Sequence, residues 1–373
     1  MTIRKILATL LALSMTLSLA ACGGNSTQTD TTAPSEQTEE SSSVSDESVS
    51  DETTAENTET ETPADETEAS EPAEKVDINL AALSGPTALG MLDLLEKNEN
   101  GEAANNYNVT IATAPDEVTG KIISGELDIA AVPTNVASTL YNKTEGQVQI
   151  AALNTMGVLY VLETGDTIQS VADLAGKTIY ATGQGSTPEY ALNLVLEKNG
   201  LTPGEDVEIV FAADNAEIAP LLASGEAQVA LLPQPFVTSV LTQNENVRVA
   251  LDLTEEWDKA VNGESGLTMG CVVVRKEFAE QNKEALDRFL DEYKQSVETV
   301  TSEEGLAHAA ELAEHYNIIK AAVAEKAIPE CNIVFVEGDE MQQIAGGFLQ
   351  VLYDANPQAV GGQLPNDDFY YKR

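Results

Sequence analysis

Residues 123–140 read ISGELDIAAVPTNVASTL, and residues 222–240 read LASGEAQVALLPQPFVTSV. With Ser124-Gly125-Glu126 laid on Ser224-Gly225-Glu226, Pro133 falls on Pro233 without a gap. Both copies describe the same local structure. A helix ends at a glycine able to take the left-handed cap, a short apolar run follows as a buried strand, and proline then opens a new helix. A second match lies upstream in step with the first: Leu94-Leu95-Glu96-Lys97-Asn98 against Val195-Leu196-Glu197-Lys198-Asn199. Each follows an apolar strand and a turn of small residues, Ser84-Gly85-Pro86-Thr87 in one case and Gly183-Gln184-Gly185-Ser186-Thr187-Pro188 in the other. Internal similarity carried over such a length predicts two related α/β lobes.

The 373 residues allow this, although composition removes part of the chain from the folded count. Residues 1–21 begin with Arg4 and Lys5, continue as an apolar run from Ile6 and end in Leu19-Ala20-Ala21 before Cys22. A basic start, an apolar stretch of about 15 residues and small residues at the end describe a secretory leader, too short and wrongly flanked for a membrane span. The Leu-Ala-Ala-Cys ending resembles a bacterial lipobox, which implies cleavage before Cys22 and lipid on its sulfur and amine. Residues 22–75 are then Thr, Ser, Glu, Asp, Ala and Pro with almost no large apolar side chain. Such a stretch buries too little surface to offset the entropy of ordering, and the expectation is a disordered acidic tether.

The remaining body, about 300 residues, is ample for two cored lobes. The net charge of −43 opposes binding to nucleic acid or to anionic lipid headgroups. Cys271 sits in an apolar strand and Cys331 in a turn; a disulfide and two unpaired thiols both fit the sequence.

Strands alternate with helices along the body, which predicts parallel pairing through crossover connections. Strands are expected at 76–83, 109–112 and 129–132, with helices starting near Ala88, Asp116 and Thr134. Residues 150–162 carry two apolar runs broken at Asn154-Thr155-Met156-Gly157, read as a first crossing between lobes. The second lobe repeats the scheme with strands at 177–181, 207–212, 229–232 and 247–253, and Asp214 with Glu217 forms a capping-box pattern. Leu267-Thr268-Met269-Gly270-Cys271 resembles the first crossing and returns the chain. Beyond Arg275 the pattern is helical, at 276–301, 304–316, 320–328 and 339–355, with a one-sided apolar stripe of Phe278, Leu286, Phe289, Leu290 and Tyr293. The expected division is therefore lobe 1 at 76–155, lobe 2 at 156–268, and lobe 1 again at 269–373, mainly helical.

No nucleophile arrangement stands out. His308 and His315 are the only histidines and fall on one helix, where solvated side chains are expected rather than metal ligands, and no metal or cofactor is expected. The 183–187 loop lacks the Lys-Ser or Lys-Thr of a phosphate loop, and Pro188 stands where a dinucleotide loop needs its third glycine. What remains is a set of strand-end turns at helix starts. In open α/β sheets ligands sit beyond the carboxyl ends of the strands. The candidate ligand contacts are thus Ser84, Gly85, Pro86, Thr87, Pro133, Thr134 and Asn135 from one lobe. Gly183, Gln184, Gly185, Ser186, Thr187, Pro233 and Gln234 come from the other, and Asn154, Thr155, Thr268 and Met269 from the crossings.

The lipobox, the acidic tether, the run Asp173-Leu174-Ala175-Gly176-Lys177-Thr178-Ile179 before the glycine loop, the Ser-Gly-Glu repeats and residues 269–276 before a long helix together resemble a known family. They are similar to the type II solute-binding proteins of bacterial ABC importers, closest to the nitrate, sulfonate and taurine group. The resemblance implies the type II periplasmic binding protein fold, two mostly parallel sheets joined by a two-crossing hinge. It also implies a monomeric, extracytoplasmic receptor, held to the outer face of the cell membrane through lipid on Cys22. Such a receptor closes on a small molecule and delivers it to a permease with its ATPase. The candidate loops carry no Arg, Lys or His, and Glu189 can cap the turn at Ser186, so a neutral or weakly anionic ligand is expected. An aromatic ligand fits if Tyr160, Tyr190 or Phe236 lines the cleft. The competing readings are an enzyme similar to pyrimidine-precursor synthases, which neither histidine favours, and a ligand-sensing lipoprotein.

Overall fold

The computed structural model describes residues 74–113, 115–263 and 265–373. The expected leader, Cys22 with its expected lipidation and all but the last two residues of the acidic stretch lie outside the described residues. The body starts β1 (Asp77–Leu83), α1 (Pro86–Leu89), α2 (Leu92–Glu99), β2 (Asn106–Ala112), α3 (Pro115–Ser124), β3 (Ile129–Pro133), α4 (Thr134–Lys143) and β4 (Val148–Met156). A second series follows: β5 (Leu159–Thr164), β6 (Thr178–Ala181), α5 (Thr187–Lys198), β7 (Glu208–Phe211), α6 (Asn215–Ser224), β8 (Val229–Pro233), α7 (Phe236–Gln243), β9 (Val247–Asp252) and α8 (Leu253–Ala260). The chain ends with β10 (Thr268–Arg275), α9 (Lys276–Gln281), α10 (Lys283–Thr301), α11 (Leu306–His315), α12 (Ala321–Ala327), β11 (Ile333–Val336) and α13 (Gly338–Ala355).

These strands form two sheets, ordered β11-β4-β10-β3-β1-β2 and β7-β6-β8-β5-β9. The duplication in the sequence is visible in this order, because β2-β1-β3-β10-β4 corresponds place for place to β7-β6-β8-β5-β9. In the first, β10 runs antiparallel to both β3 and β4, so β4 points the same way as β1, β2 and β3. In the second, β5 runs antiparallel to β8 and β9. Each sheet is mixed with its parallel members in the majority, and the reversed strand next to the third parallel one is in each case a strand that crosses between lobes.

Local chemistry explains the repeat. α3 and α6 both end at a serine, and Gly125 and Gly225 follow at φ 81° and 80°, a conformation that costs glycine nothing. Gly125 N–H donates to Ile122 O and Gly225 N–H to Leu222 O, closing each helix so that the apolar run can turn into the sheet. The copies diverge after the strand. Thr134 starts α4 directly, whereas α7 waits until Phe236 and is capped by Gln234, whose Oε1 accepts from Thr238 N at 3.2 Å and Thr238 Oγ1 at 2.9 Å. Asp214 caps α6 through Ala216 N, without the reciprocal Glu217 contact that the pattern predicted.

The helix expected after Ser84 is broken at Gly90. A Cβ there would lie 3.1 Å from Ile333 Cγ2 and from Tyr293 Oη, so only glycine lets α10 and β11 pack so closely. Buried Ser296 bridges the break, donating to Gly90 O at 2.8 Å and accepting from Leu94 N at 3.1 Å. Two further corrections concern the chain beyond Arg275. Residues 276–301 form two helices parted at Asn282, and the region expected to be mainly helical contributes β11, antiparallel to β4. The predicted stripe of Phe278, Leu286, Phe289, Leu290 and Tyr293 is buried throughout.

One apolar cluster extends across both lobes. α13 packs on β4, β10 and α4 and also reaches α5. Its Phe348 meets Trp257 of α8 with ring centroids 5.9 Å apart, both fully buried.

Candidate functional site

The carboxyl ends of β1 and β3 in one sheet and of β6 and β8 in the other lead into the turns singled out from the sequence. The turns that follow β3 and β6 meet. Thr187, in the first turn of α5, directs Oγ1 to Asn135 Oδ1 of α4 at 3.5 Å, and Asn135 Nδ2 donates to Ala359 O at 3.4 Å. Three residues along α5, Tyr190 Oη accepts from Asn356 Nδ2 at 2.8 Å. The start of α5 is thus tied to the other lobe at two points, through side chains on α4 and on the segment after α13.

A second group gathers where β10 lies between β3 and β4. Thr134 Oγ1 and Thr268 Oγ1 are 3.1 Å apart, Thr268 Oγ1 reaches Thr155 O at 3.5 Å, and Thr155 Oγ1 reaches Asn154 Oδ1 at 3.1 Å. All four residues are buried. Gly270 is their common neighbour: a Cβ added there would stand 2.5 Å from Asn154 Oδ1, 2.7 Å from Thr87 Cγ2 and 3.2 Å from Thr155 Cβ. The related Gly157 at the first crossing is hemmed in by Thr254, whose Oγ1 would lie 2.0 Å from an added Cβ. The repeated Thr-Met-Gly therefore marks both crossings for one steric reason, the lack of room for a side chain. Asn154 Nδ2, whose amide borders Gly270, and Tyr293 Oη, which borders Gly90, are both buried and have no hydrogen-bond partner of ordinary geometry. Burial pushes the Tyr293 hydroxyl upward, with nearby Asn154 opposing.

The glycine loop before α5 is internally committed. Gly183 and Gly185 take φ 76° and 73°, and a Cβ on Gly183 would strike Ser186 Oγ and Pro188. Ser186 does not cap the helix as the capping-box pattern predicted. Its Oγ donates back to Gly183 O at 2.6 Å, while Glu189 Oε2 accepts from Gly185 N.

The remaining candidates lie around these groups. Ser84 and Gln184 are exposed, Gly85 and Pro86 are half-buried at the start of α1, and Thr87 Oγ1 is spent on Leu83 O at 2.7 Å. Pro133 and Pro233 close their strands, and Met269 is half-buried against the shared apolar cluster. Gln234 is buried, with its acceptor taken by α7. Of the three aromatic residues considered as ligand platforms, Tyr160 Oη donates to Glu330 O at 3.2 Å, Tyr190 Oη accepts from Asn356 Nδ2, and Phe236, the first residue of α7, is half-buried against the apolar cluster of the second sheet. Sequence reasoning missed Asn356 and Ala359; the Asn-Pro dipeptide at 356–357 was the available signal of a turn.

Cys271 and Cys331 are unpaired and buried. Burial pushes both thiols up, Cys331 to about 12 with help from Glu330, so neither is a thiolate near neutrality. His308 and His315 lie on α11, where they meet Glu96 at 2.8 Å and Glu99 at 3.1 Å, away from the strand-end turns. No cluster of His, Cys, Asp and Glu among the described residues has the makings of a metal site. No helix among them is long and apolar enough to cross a membrane.

The profile of a family described as "ABC transporter, phosphonate, periplasmic substrate-binding protein" matches residues 93–325. Among solved structures, an ABC transporter protein from Parabacteroides distasonis is 25% identical, with a TM-score of 0.67 over 79% of this chain and 99% of that one. The periplasmic aliphatic sulphonate binding protein of Escherichia coli is 15% identical, with a TM-score of 0.61 over 78% of this chain and 92% of its own. The periplasmic nitrate-binding protein of Synechocystis is 13% identical, with a TM-score of 0.53 over 79% and 84%. At those two identities the likeness is one of fold, the type II periplasmic binding protein arrangement. No curated protein matches the sequence.

Proposed function

The chain belongs to the phosphonate-type periplasmic substrate-binding proteins of ABC transporters, and from that premise we propose that it captures a small solute between its lobes by closing about the two crossings. This family consists of transport binding components rather than enzymes, and its place is extracytoplasmic. The bound solute is handed to a membrane permease driven by an ATPase. The protein acts as a monomer, anchored to the outer face of the membrane by lipid on Cys22, with residues 23–75 as the tether.

The observation that carries this reading is the Asn135 to Thr187 contact, which sets the starts of α4 and α5 against each other across the seam between lobes. We assign ligand contact to Thr87, Thr134, Asn135 and Thr155 on one side and to the 183–187 loop on the other, with Thr268 at the crossing. Closure is taken up by rotation at Met156-Gly157 and Thr268-Met269, where the pairing of β4 with β10 ends, and a ligand that touches both lobes favours the closed form by its differential affinity.

Native mass spectrometry of the protein purified from its host, together with small-angle scattering before and after ligand removal by partial unfolding and dialysis, tests this. The expected result is a retained small molecule whose removal enlarges the radius of gyration. Identical scattering with and without the retained molecule would remove hinge closure from the account.

A further inference from the structure

We propose that the groove between α7 and α12 is a second binding site, and that its ligand is a free amino acid with an apolar side chain. The groove has a volume of about 520 Å³, of the order that suits a small ligand. Its walls come from both lobes: Tyr160 of β5, Val237 and Leu241 of α7 and Val249 of β9 on one side, Lys326 and Glu330 on the other. α12 packs on α7 here, and Tyr160 Oη donates to Glu330 O at 3.2 Å, so the gap is bridged without being filled. Val249 is 37% exposed; it and Ile123 are the large apolar side chains left open to solvent among the described residues. An apolar body laid on Val249 and Leu241 takes that area out of water.

The polar groups in the walls define the rest of the ligand. Gln234 also lines the groove and is 4% exposed. Its Oε1 accepts from Thr238 N and Thr238 Oγ1, which leaves Nε2 as the free end of the amide, without a partner among the described residues. Lys326 and Glu330 stand one turn apart on the run from α12 into the 3₁₀ helix Ile328–Glu330. Both are exposed, and neither side chain has an ion-pair partner among the described residues. Burial, then the charges of Asp252 and Glu330, push the Tyr160 hydroxyl upward, so it stays a neutral phenol whose lone pairs are open to a donor. A carboxylate thus finds a cation and an amide N–H in Lys326 and Gln234, and an ammonium group finds Glu330 and the Tyr160 oxygen. An acid without the ammonium faces Glu330 as a like charge, and an amine without the carboxylate faces Lys326 in the same way. A zwitterion on an apolar stem satisfies all four groups together. Because the walls belong to different lobes, the occupied site favours the arrangement in which they stand together. That effect on closure rests on the hinge proposed above; the site itself does not.

The test is isothermal titration of the full protein with leucine and three relatives: 4-methylpentanoate, which lacks the ammonium, 3-methylbutylamine, which lacks the carboxylate, and glycine, which lacks the apolar stem. Leucine is expected to bind tightest, with glycine weaker by roughly tenfold or more. Lys326→Gln should weaken leucine and 4-methylpentanoate by about threefold to tenfold and leave the amine no worse; Glu330→Gln should weaken leucine and the amine by a similar factor and leave the acid no worse. Both side chains are exposed, and the Tyr160 contact uses the backbone of residue 330, so neither variant should lose its fold. Leucine bound no better than glycine, or losses that do not cross over between the two variants, overturns the proposal. The solute retained from the host separates this failure from that of the hinge. If its removal still enlarges the wild-type protein while leucine does not bind, the groove proposal falls alone; if leucine binds with the expected crossing and scattering never changes, the site stands and hinge closure falls.

Discussion

Thr187 Oγ1 and Asn135 Oδ1 meet across the seam between lobes at 3.5 Å, the outer limit of a hydrogen bond, and each residue also serves its own side. Thr187 opens α5, and Asn135 reaches on to Ala359 O. A contact so long favours the closed arrangement only slightly.

Thr187→Ala therefore separates ligand binding from folding. Removing the hydroxyl is expected to weaken solute binding severalfold, while the unfolding midpoint moves by no more than the equivalent of about 0.5 kcal/mol. Titration calorimetry beside chemical denaturation reads both, and equal losses in the two would reassign Thr187 to a purely structural role. Thr134→Ala is the less clean variant, since buried Thr268 loses its 3.1 Å partner, and a stability cost of about 1 kcal/mol is expected along with the affinity loss.

Ser296→Ala probes the break between α1 and α2. The substitution leaves Gly90 O and Leu94 N without their bridge in a region where Ser296 is fully buried, and costs about 1–3 kcal/mol. Because Gly90 follows the turn that carries Thr87, the same variant should also bind solute more weakly. Differential scanning calorimetry checks the first effect, and an unchanged midpoint would mean that water replaces the hydroxyl at no cost.

Acid should strengthen the contact between α2 and α11. Glu96 beside His308 raises its pKa above 6.5, with a smaller push from Glu311, so the charged form is favoured on folding. A raised folded value gives stability that is fully present below the unfolded pKa near 6.5 and lost as pH rises through the folded one. Glu99 works in the opposite sense: its hydrogen bonds from Tyr316 and His315 lower its pKa, giving stability present above the unfolded value of 4.5 and lost as pH falls through the lowered one. The imidazole of His308 is half-exposed, so the slope is small. Denaturation midpoints across pH 5.5 to 8 should decline gently in wild type and lose that decline in His308→Gln.

The sequence was most legible where spacing repeats. The matching Ser-Gly-Glu segments predicted paired helix ends and strands because glycine at φ near 80° is a local necessity, and the sheet orders show that the same duplication governs topology. Contacts between distant segments were not legible. Nothing near Tyr190 announces Asn356, and nothing in Ile333–Val336 distinguishes a short strand from a loop, since four apolar residues set no period. Gln234 misled for a different reason. It occupies the place of Thr134 in the repeat, but the following Pro235 delays α7, and the side chain turns to cap it.

Gly157 and Gly270 give the sharpest test of the crossings. Neither needs a positive φ; what each needs is space, and the two spaces differ. At Gly270 an alanine methyl would press on Asn154 Oδ1 and Thr87 Cγ2, both side-chain atoms, so turning the Asn154 amide and shifting the Thr87 turn together relieve most of the clash. At Gly157 the methyl would overlap Thr254 Oγ1 and come within 2.9 Å of Thr254 Cβ at the start of α8, which rotation of one side chain cannot relieve. Overpacking typically costs about 1–3 kcal/mol, and Gly157→Ala belongs at the upper end with Gly270→Ala below it. The order of their functional effects should reverse. Gly270→Ala displaces a candidate ligand contact and should bind solute at least about tenfold more weakly, whereas Gly157→Ala, measured well below its unfolding midpoint, should bind within a few-fold of wild type. Denaturation curves and titration on the same preparations decide it, and a variant pair that ranks the same way in both measurements would show that the steric relation at Gly270 has no bearing on the ligand.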